Sequence, residues 1–224
     1  MGFSDLLVKE IFRSLQGETS LAGVPFVFVR LTGCNLRCSY CDSVYAFKGG
    51  IRMRISEVIS KVKSFETSHV LLTGGEPLMQ RPTPALTREL VEQGFLVSIE
   101  THGEHPIQSV AQLARIIMDI KTPSSGMCRG GFEKNFRFLK PEDEIKFVIA
   151  SKEDYLWAKK WVESGRLPTH TVLFSAAIPA QDAPRPYPGV DLQWLAERIL
   201  EDRLNVRLQV QLHKLIWGND RHGV

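Results

Sequence analysis

The chain has 224 residues, of which 43% are hydrophobic, so it is long and apolar enough for one domain with a buried core. Its formal net charge of +3 comes from Lys and Arg residues scattered along the chain, a pattern that does not favour nucleic-acid binding. No apolar run approaches the roughly 18 to 20 residues of a membrane span, and the first residues do not follow the plan of a signal peptide. We therefore expect a single cytosolic domain over residues 1–224, with no membrane or nucleic-acid partner.

Two strands are predicted in the first part of the chain. Residues 9–17 mix apolar and polar side chains and predict a short edge strand that ends at a glycine turn. Residues 26–31 are almost all β-branched or aromatic, as expected for a strand buried on both faces of a parallel sheet. Arg30 is the one charge inside this strand, so we expect it to pair with either a ligand carboxylate or a neighbouring acidic side chain.

Helical and strand patterns then alternate along the chain. Predicted helices cover residues 57–65 with Ser56 as N-cap, 84–94, 107–114, 152–164 and 192–204. Predicted strands cover residues 69–73, 95–100, 116–121, 144–149, 170–175 and 206–213, and a proline-rich loop covers 178–189. This alternation predicts parallel βα units, and about six parallel strands are too few for an eight-stranded barrel. The predicted fold is α/β, a partial TIM-like barrel with helices outside.

In such folds ligands bind at the carboxyl ends of the strands. Several candidate site residues fall at these ends, in the segments Gly74-Gly75-Glu76, Glu100-Thr101, Asp119-Ile120-Lys121 and at Ser175. Paired glycines allow the backbone to come close to a ligand. The strand ends therefore predict one shared binding site.

Three of the four cysteines, Cys34, Cys38 and Cys41, lie within eight residues after the strand at 26–31. Three thiolates can bind three irons of a cubane cluster, which leaves one iron open for chemistry. A three-plus-one grouping does not resemble a disulfide framework. A structural zinc site needs four ligands, and no histidine near Cys34 supplies the fourth. Cys128 lies far along the chain and is interpreted as a thiol outside the site.

The Cys-x3-Cys-x2-Cys spacing, with Tyr40 before the last cysteine and Gly-Gly-Glu-Pro one strand later, resembles the radical S-adenosylmethionine superfamily. The resemblance implies that the cysteines hold a [4Fe–4S] cluster whose open iron binds S-adenosylmethionine. An electron from the cluster would cleave this cofactor to a 5′-deoxyadenosyl radical. The segment Gly74-Gly75-Glu76 would meet the methionine amine, in keeping with the preference of an ammonium for carbonyl and carboxylate oxygens.

Further blocks are similar to the 7-carboxy-7-deazaguanine synthase family. They cover residues 12–18, 28–36, 41–43, 72–78, 100–101, 119–126 and 211–214. This resemblance implies a carbon–nitrogen lyase that contracts the ring of 6-carboxy-5,6,7,8-tetrahydropterin in queuosine biosynthesis, a tRNA modification pathway. It also implies a magnesium ion, a homodimer and a reducing partner such as flavodoxin.

The same resemblance assigns roles to individual residues. The implied substrate contacts are Leu15, Gln16, Gly17, Arg30, Thr73, Gln211 and His213. The implied cofactor contacts are Tyr40, Asp42, Gly74, Gly75, Glu76, Asp119, Ile120, Lys121 and Ser175, with the segment 175–178 facing the adenosyl part. Magnesium would bind Ser43, where the family usually has threonine; serine offers the same oxygen without the methyl group that restricts its rotamer.

Two alternatives remain at the level of sequence. A glycyl-radical enzyme activase shares the cysteine spacing but acts on a protein backbone, and the blocks at 14–18 and 211–214 argue against it. In a different class, the cysteines could serve a non-catalytic iron–sulfur or zinc-binding module. Reductive cleavage of S-adenosylmethionine separates the radical enzyme from that module.

Overall fold

The computed structural model describes residues 5–177, 187, 189–218 and 221–223. Its strands are β1 Asp5–Leu15, β2 Pro25–Leu31, β3 Ile51–Arg54, β4 His69–Gly74, β5 Leu96–Thr101, β6 Arg115–Ile120, β7 Glu144–Ile149, β8 Thr171–Ala176 and β9 Arg207–Gln209. Its helices are α1 Ile55–Lys63, α2 Thr83–Glu92, α3 Lys152–Glu163, α4 Leu192–Glu201 and α5 Leu212–Trp217. Most of the loop predicted over 178–189 lies outside the described residues. Within the described part, no helix is long and apolar enough to cross a membrane.

One sheet contains all of these strands, in the order β3-β1-β2-β4-β5-β6-β7-β8-β9. β2 and β4 to β9 run parallel, while β1 is antiparallel to both of its neighbours. The two edge strands, β3 and β9, do not pair with each other in the described structure, so the sheet is open. The predicted partial barrel is confirmed, with seven parallel strands where about six were expected.

The period-two alternation of the strands separates two cores. Val27 and Val29 of β2 point outward into the main core, where the helices cover the sheet. Phe26 and Phe28 point inward and form a smaller apolar cluster. Further along the parallel strands the inner positions become polar and line a cavity, at Arg30, Thr73, Glu100, Asp119 and Lys146. Along β2 the inner face is therefore apolar at its amino end and charged at its carboxyl end.

The connection between β1 and β2 crosses this inner face. The Ser20 hydroxyl donates to Glu144 at the start of β7, at 2.6 Å. The Thr19 carbonyl oxygen accepts a hydrogen bond from Gln209 of β9 at 3.4 Å. Because β1 runs against the parallel strands, its end lies at their amino side, and the connection brings residues 16–18 into the cavity.

Two predictions near the N-terminus need correction. The strand predicted at 9–17 covers residues 5–15, and β3 pairs with residues 5–8 only, so the predicted part has a strand partner on one side, as an edge strand does. Helix α1 is capped by Arg54 rather than Ser56, and the Arg54 backbone N–H donates to the Glu57 carboxylate at 2.7 Å. Ser56 lies inside the first turn of the helix. Glu57, three residues after Arg54, supplies the carboxylate of the capping box.

Two later predictions are also corrected. Residues 107–114 form successive turns rather than a continuous helix, with Ala111 N–H donating to Ile107 O and Ala114 N–H to Val110 O. The strand predicted at 206–213 ends at Gln209, and α5 follows. The chain bends there because the Leu212 N–H bonds the Gly17 carbonyl oxygen at 2.9 Å, a tertiary contact that replaces continued strand pairing.

Candidate active site

The cysteine loop, residues 34–41, follows directly from the end of β2. Cys34, Cys38 and Cys41 are free thiols, and all three line a cavity of about 220 Å³. Cys38 is buried and the other two are half-buried. Burial raises the pKa of each thiol, that of Cys41 to about 12. Because the thiolate is the form that binds metal, a bound cation is what would stabilise the charged sulfur in these surroundings.

Contacts outside the sulfur atoms hold this loop in place. The Ser39 N–H donates to the Ser125 carbonyl oxygen at 3.0 Å. The Arg37 guanidinium donates to the Cys34 carbonyl oxygen at 2.8 Å and lies 4.3 Å from the ring centroid of Phe47. The thiols are therefore available as ligands on a loop whose backbone is already fixed.

The two glycines at the end of β4 pack directly against the cysteine loop. Gly74 has a φ of +136°, and a Cβ there would lie 2.1 Å from the Leu31 carbonyl oxygen. A Cβ on Gly75 would lie 2.1 Å from the Gly33 carbonyl oxygen and 2.8 Å from Cys34 Cβ. Only glycine fits this approach of two backbones. The need for glycine thus arises from packing against the loop, in addition to any approach by a cofactor.

Glu76, the next residue, turns away from the cavity. Its side chain is buried and accepts hydrogen bonds from the Leu78 N–H, the Thr101 hydroxyl and the His102 N–H, each at 2.9 Å. Loss of hydration on burial raises the pKa of Glu76 to about 7. In this arrangement Glu76 connects β4 to β5 and does not line the cavity.

Two other predicted cofactor contacts also fall outside the cavity lining. Ile120 points into the outer core, because its neighbour Asp119 points inward. Ser175 is buried outside the lining, Ala177 of the same predicted segment does line the cavity, and residue 178 lies outside the described residues. The remaining predicted site residues do line the cavity: Leu15, Gln16, Gly17, Arg30, Tyr40, Asp42, Ser43, Thr73, Gly74, Gly75, Asp119, Lys121, Gln211 and His213, together with the three cysteines.

Arg30 has a carboxylate partner within the protein. Its Nε donates to Glu10 Oε1 at 2.7 Å, and the Tyr45 hydroxyl donates to the same oxygen at 2.7 Å. Among the described residues, neither Nη group of Arg30 makes a hydrogen bond to the protein. The guanidinium is thus oriented by Glu10 while its outer nitrogens remain available to an anion in the cavity.

A second polar group forms where α5 meets the cysteine loop. Gln211 donates to Glu18 at 2.9 Å and to Asp42 at 3.0 Å, and the Ser43 hydroxyl donates to Asp42 at 2.9 Å. His213 packs on Gly17, where a Cβ would lie 2.2 Å from its Nδ1. Ligand atoms of Glu18, Asp42 and His213 lie within 4.8 Å of one another, a grouping that could hold a cation.

Two lysines bring positive charge to the wall of the cavity. Lys121 pairs with Asp119 at 2.9 Å. Although burial opposes its charge, Asp119 and neighbouring groups raise the pKa of Lys121 well above its usual value. Lys146 pairs with Glu18 at 2.7 Å, Asp119 at 3.1 Å and Glu100. Burial disfavours ionisation of Glu18, but Lys146 nevertheless lowers the pKa of that carboxyl to about 2.

The sequence reading did not assign a role to Glu10, Glu18, Tyr45 or Lys146. A signal existed for Lys146, which is a lone cation among the apolar residues of β7, as Arg30 is in β2. Glu18 lies inside a block that resembles the family but was not singled out. Glu10 and Tyr45 carried no such signal, since only the pairing of β1 with β2 and the fold of the cysteine loop bring them to Arg30.

Comparisons with known proteins agree with this geometry. The family model described as the radical SAM superfamily matches residues 28–152. The chain is 44% identical to the 7-carboxy-7-deazaguanine synthase of Koribacter versatilis, over 97% of this chain and 99% of that protein. It is 42% identical to the synthase of Chlorobaculum tepidum, over 98% and 97%.

A solved structure supports the fold independently. The crystal structure of QueE from Escherichia coli matches with a TM-score of 0.70 at 20% identity, over 93% of this chain and 95% of that one. Streptococcus suis SuiB bound to S-adenosylmethionine matches with a TM-score of 0.61 at 14% identity, over 80% and 48%. From the family model and the full-length relatives, the chain belongs to the 7-carboxy-7-deazaguanine synthase family of the radical S-adenosylmethionine superfamily.

Proposed function

We propose that this protein converts 6-carboxy-5,6,7,8-tetrahydropterin to 7-carboxy-7-deazaguanine, with loss of ammonia, in the queuosine pathway. The observation that carries the proposal is a single cavity lined both by the three cysteines and by a charged inner wall. Full-length relatives named for this activity support it. We also propose that residues 1–224 form one catalytic domain, because strands of a single sheet, the cysteine loop and α5 line the same cavity.

The cysteine loop has the donor set that a [4Fe–4S] cluster requires. Three free thiols face one cavity, and the remaining cysteine, Cys128, is exposed and does not line it. Cys34, Cys38 and Cys41 would hold the cluster, which would supply the electron for reductive cleavage of S-adenosylmethionine and so the radical chemistry on the substrate. The chain contributes a narrow approach at Gly74 and Gly75 for the methionine group and the Lys121–Asp119 pair beside it.

The opposite side of the cavity suits a carboxylated pterin. Arg30 is held by Glu10 and directs its outer nitrogens to the substrate carboxylate, a charge-assisted contact. Residues 15–17 and Thr73 line this side of the cavity, and Gln211 and His213 close it from the C-terminal side. These residues bind and orient the substrate and restrict access of water.

Ser43 is the proposed magnesium ligand. Its hydroxyl lies beside the Asp42 carboxylate, and Glu18 and His213 lie close to the same carboxylate. Magnesium prefers oxygen ligands and commonly uses one or two carboxylates together with substrate oxygens. The residues present therefore fit the ion, which would add positive charge where the substrate carboxylate binds.

We also propose an electron donor, a homodimeric partner and a cellular location for this protein. Asn35 and Arg37 of the cysteine loop are exposed, and we propose that a one-electron donor such as flavodoxin docks beside them. A homodimer would cover apolar side chains that are exposed in the single chain, among them Leu215 and Ile216 of α5. We also expect a cytosolic location, where thiols stay reduced.

The decisive experiment is an anaerobic assay of the reconstituted protein with dithionite, S-adenosylmethionine, magnesium and the carboxylated tetrahydropterin. Formation of 7-carboxy-7-deazaguanine, identified by mass spectrometry, is the expected result. A parallel reaction without the pterin measures uncoupled cleavage of S-adenosylmethionine. Cleavage with no deazapurine product would refute the proposed substrate and leave only the superfamily chemistry, and a colourless zinc protein without cleavage would refute both.

A further inference from the structure

A buried lysine lies at the centre of the inner wall. Lys146 points inward from β7, and its side chain is only 3% exposed. Its ammonium pairs with Glu18 Oε2 at 2.7 Å, with Asp119 Oδ2 at 3.1 Å and with Glu100 Oε1. Three carboxylates on three different segments therefore share one cation, and all four residues line the cavity.

Hydrogen bonds extend from this lysine in two directions. On one side, the Thr73 hydroxyl donates to Glu100 Oε2 at 3.2 Å. On the other side, Gln211 donates to Glu18 Oε1 at 2.9 Å and to Asp42 at 3.0 Å. We call these residues the Lys146 network: Glu18, Asp42, Thr73, Glu100, Asp119, Lys146 and Gln211. Lys146 joins the residues at the strand ends, Thr73, Glu100 and Asp119, to those on the other side, Glu18, Asp42 and Gln211.

Lys146 is the cation that Glu18 and Glu100 share, whereas Asp119 also pairs with Lys121 at 2.9 Å and Asp42 pairs with Lys214 at 3.3 Å. Buried carboxylates that lack a cation repel one another and take up protons, which changes what each can bind. With the ammonium present, Glu18 and Glu100 each direct one oxygen to Lys146 and keep the other toward Gln211 or Thr73. An ionised carboxylate offers about four acceptor positions, so both retain acceptor capacity for N–H groups in the cavity.

Resting on the proposed function, we propose that Lys146 is a positioning residue for the pterin: it orients the Glu18 and Glu100 carboxylates so that they accept hydrogen bonds from the N–H groups of the heterocycle. Lys146 acts through these two carboxylates. The three cysteines do not contact Lys146 in the described structure. Its link to the cofactor side is Asp119, which Lys121 also holds at 2.9 Å, so cofactor chemistry should depend on Lys146 much less than pterin binding does.

The test compares Lys146→Met with Lys146→Arg, and uses Lys160→Met, an exposed lysine on α3, as the matched control. For Lys146→Met, KM for the carboxylated tetrahydropterin should rise at least tenfold, while cleavage of S-adenosylmethionine without the pterin stays within twofold of wild type. Lys146→Arg should recover part of the loss, because it keeps the charge but not the geometry. Lys160→Met should match wild type in both assays.

An unchanged KM in folded, cluster-loaded Lys146→Met overturns the inference, and so does an equal loss of pterin-free cleavage, which would indicate a general structural role. If Lys146→Met does not fold, Lys146→Met/Glu18→Gln removes one charge of each sign and restores the balance; a wild-type KM in that variant also overturns it. Failure of the proposed function would give a different result, because the wild-type protein itself would then not convert the pterin.

Discussion

The cysteine loop and the Lys146 network are built in opposite ways, although both line the same cavity. The loop takes its three thiols from eight consecutive residues after β2. The network joins residues that are far apart, with Lys146 and Glu18 separated by 128 positions. One region is therefore defined by local spacing and the other only by the fold.

This difference suggests a division of tasks. Substitutions in the loop should abolish cofactor binding whatever the substrate, whereas substitutions on the charged wall should weaken substrate binding and leave the cofactor in place. Arg30 resembles the Lys146 network in this respect, since Glu10 orients it from another strand. Variants in each region test whether the division holds.

The largest effect is expected for Cys38→Ala. Removal of one of the three thiols should abolish cluster retention and all cleavage of S-adenosylmethionine, because no cavity-lining cysteine in the described structure can replace it. Iron content, visible absorbance and circular dichroism measure cluster and fold together. Cys128→Ala is the matched control and should retain wild-type iron; full iron in Cys38→Ala would remove this residue from the ligand set.

Gly75→Ala should have the next largest effect. It would show that the cysteine loop also depends on its packing against the end of β4. The added methyl group would overlap the Gly33 carbonyl oxygen and Cys34 Cβ. Such overpacking typically costs about 1–3 kcal/mol, and here backbone must move. We expect most of the iron to be lost. Gly17→Ala is the comparison, since it meets the His213 side chain and should change substrate KM rather than iron content.

Arg30→Ala tests the side of the cavity that is proposed to bind the substrate carboxylate. Loss of a charge-assisted contact of about 1.5–3 kcal/mol corresponds to a rise in pterin KM of about 10- to 150-fold. Iron content and pterin-free cleavage should stay near wild type. Arg13→Ala, on the neighbouring strand and exposed, serves as control. Loss of iron in Arg30→Ala would contradict the division between the two regions.

Ser43 lies where the two regions meet, so its substitution should have an intermediate and conditional effect. Ser43→Ala should raise the magnesium concentration needed for half-maximal activity several-fold, because a hydroxyl ligand is lost. Ser43→Thr should lower that requirement, since the added methyl restricts the side-chain rotamer. Magnesium titrations of product formation decide this, and identical curves for all three proteins would remove Ser43 from the metal site.

The smallest change in turnover is expected for Glu76→Gln, whose effect should be on stability. Burial raises the pKa of Glu76 from 4.5 to about 7, so the folded state binds a proton more tightly than the unfolded state. The stability that the proton contributes is present below pH 4.5 and lost as the pH rises through 7, by at most about 3 kcal/mol. The advantage of wild type over Glu76→Gln in urea unfolding should therefore shrink from pH 5 to pH 8; a constant difference would contradict the buried, protonated carboxyl.

Several features of the site were predictable because they depend on local pattern. The alternation of apolar residues gave the parallel strands, and the position of glycines and acids after them gave most of the cavity lining. The same alternation already implied that Asp119 and Ile120 face opposite sides, so the outward direction of Ile120 could have been expected. The resemblance, not the pattern, supplied the chemistry.

Other features were not predictable, because they depend on which distant segments meet. The helical position of His213 and the Glu10 partner of Arg30 follow from tertiary contacts, whereas the N-cap at Arg54 follows from its local hydrogen bond to Glu57. A lone charge in a buried strand requires a partner, but the sequence does not say which one.

The sequence by itself determined the family and the positions of most parallel strands, and it predicts the cysteine ligands, because spacing within a loop and period-two alternation are properties of neighbouring residues. Only the tertiary structure decided that Glu76 supports β5 instead of lining the cavity, and that Lys146 joins three carboxylates. Buried charges must be compensated where the chain brings them together, and that is settled by the fold as a whole.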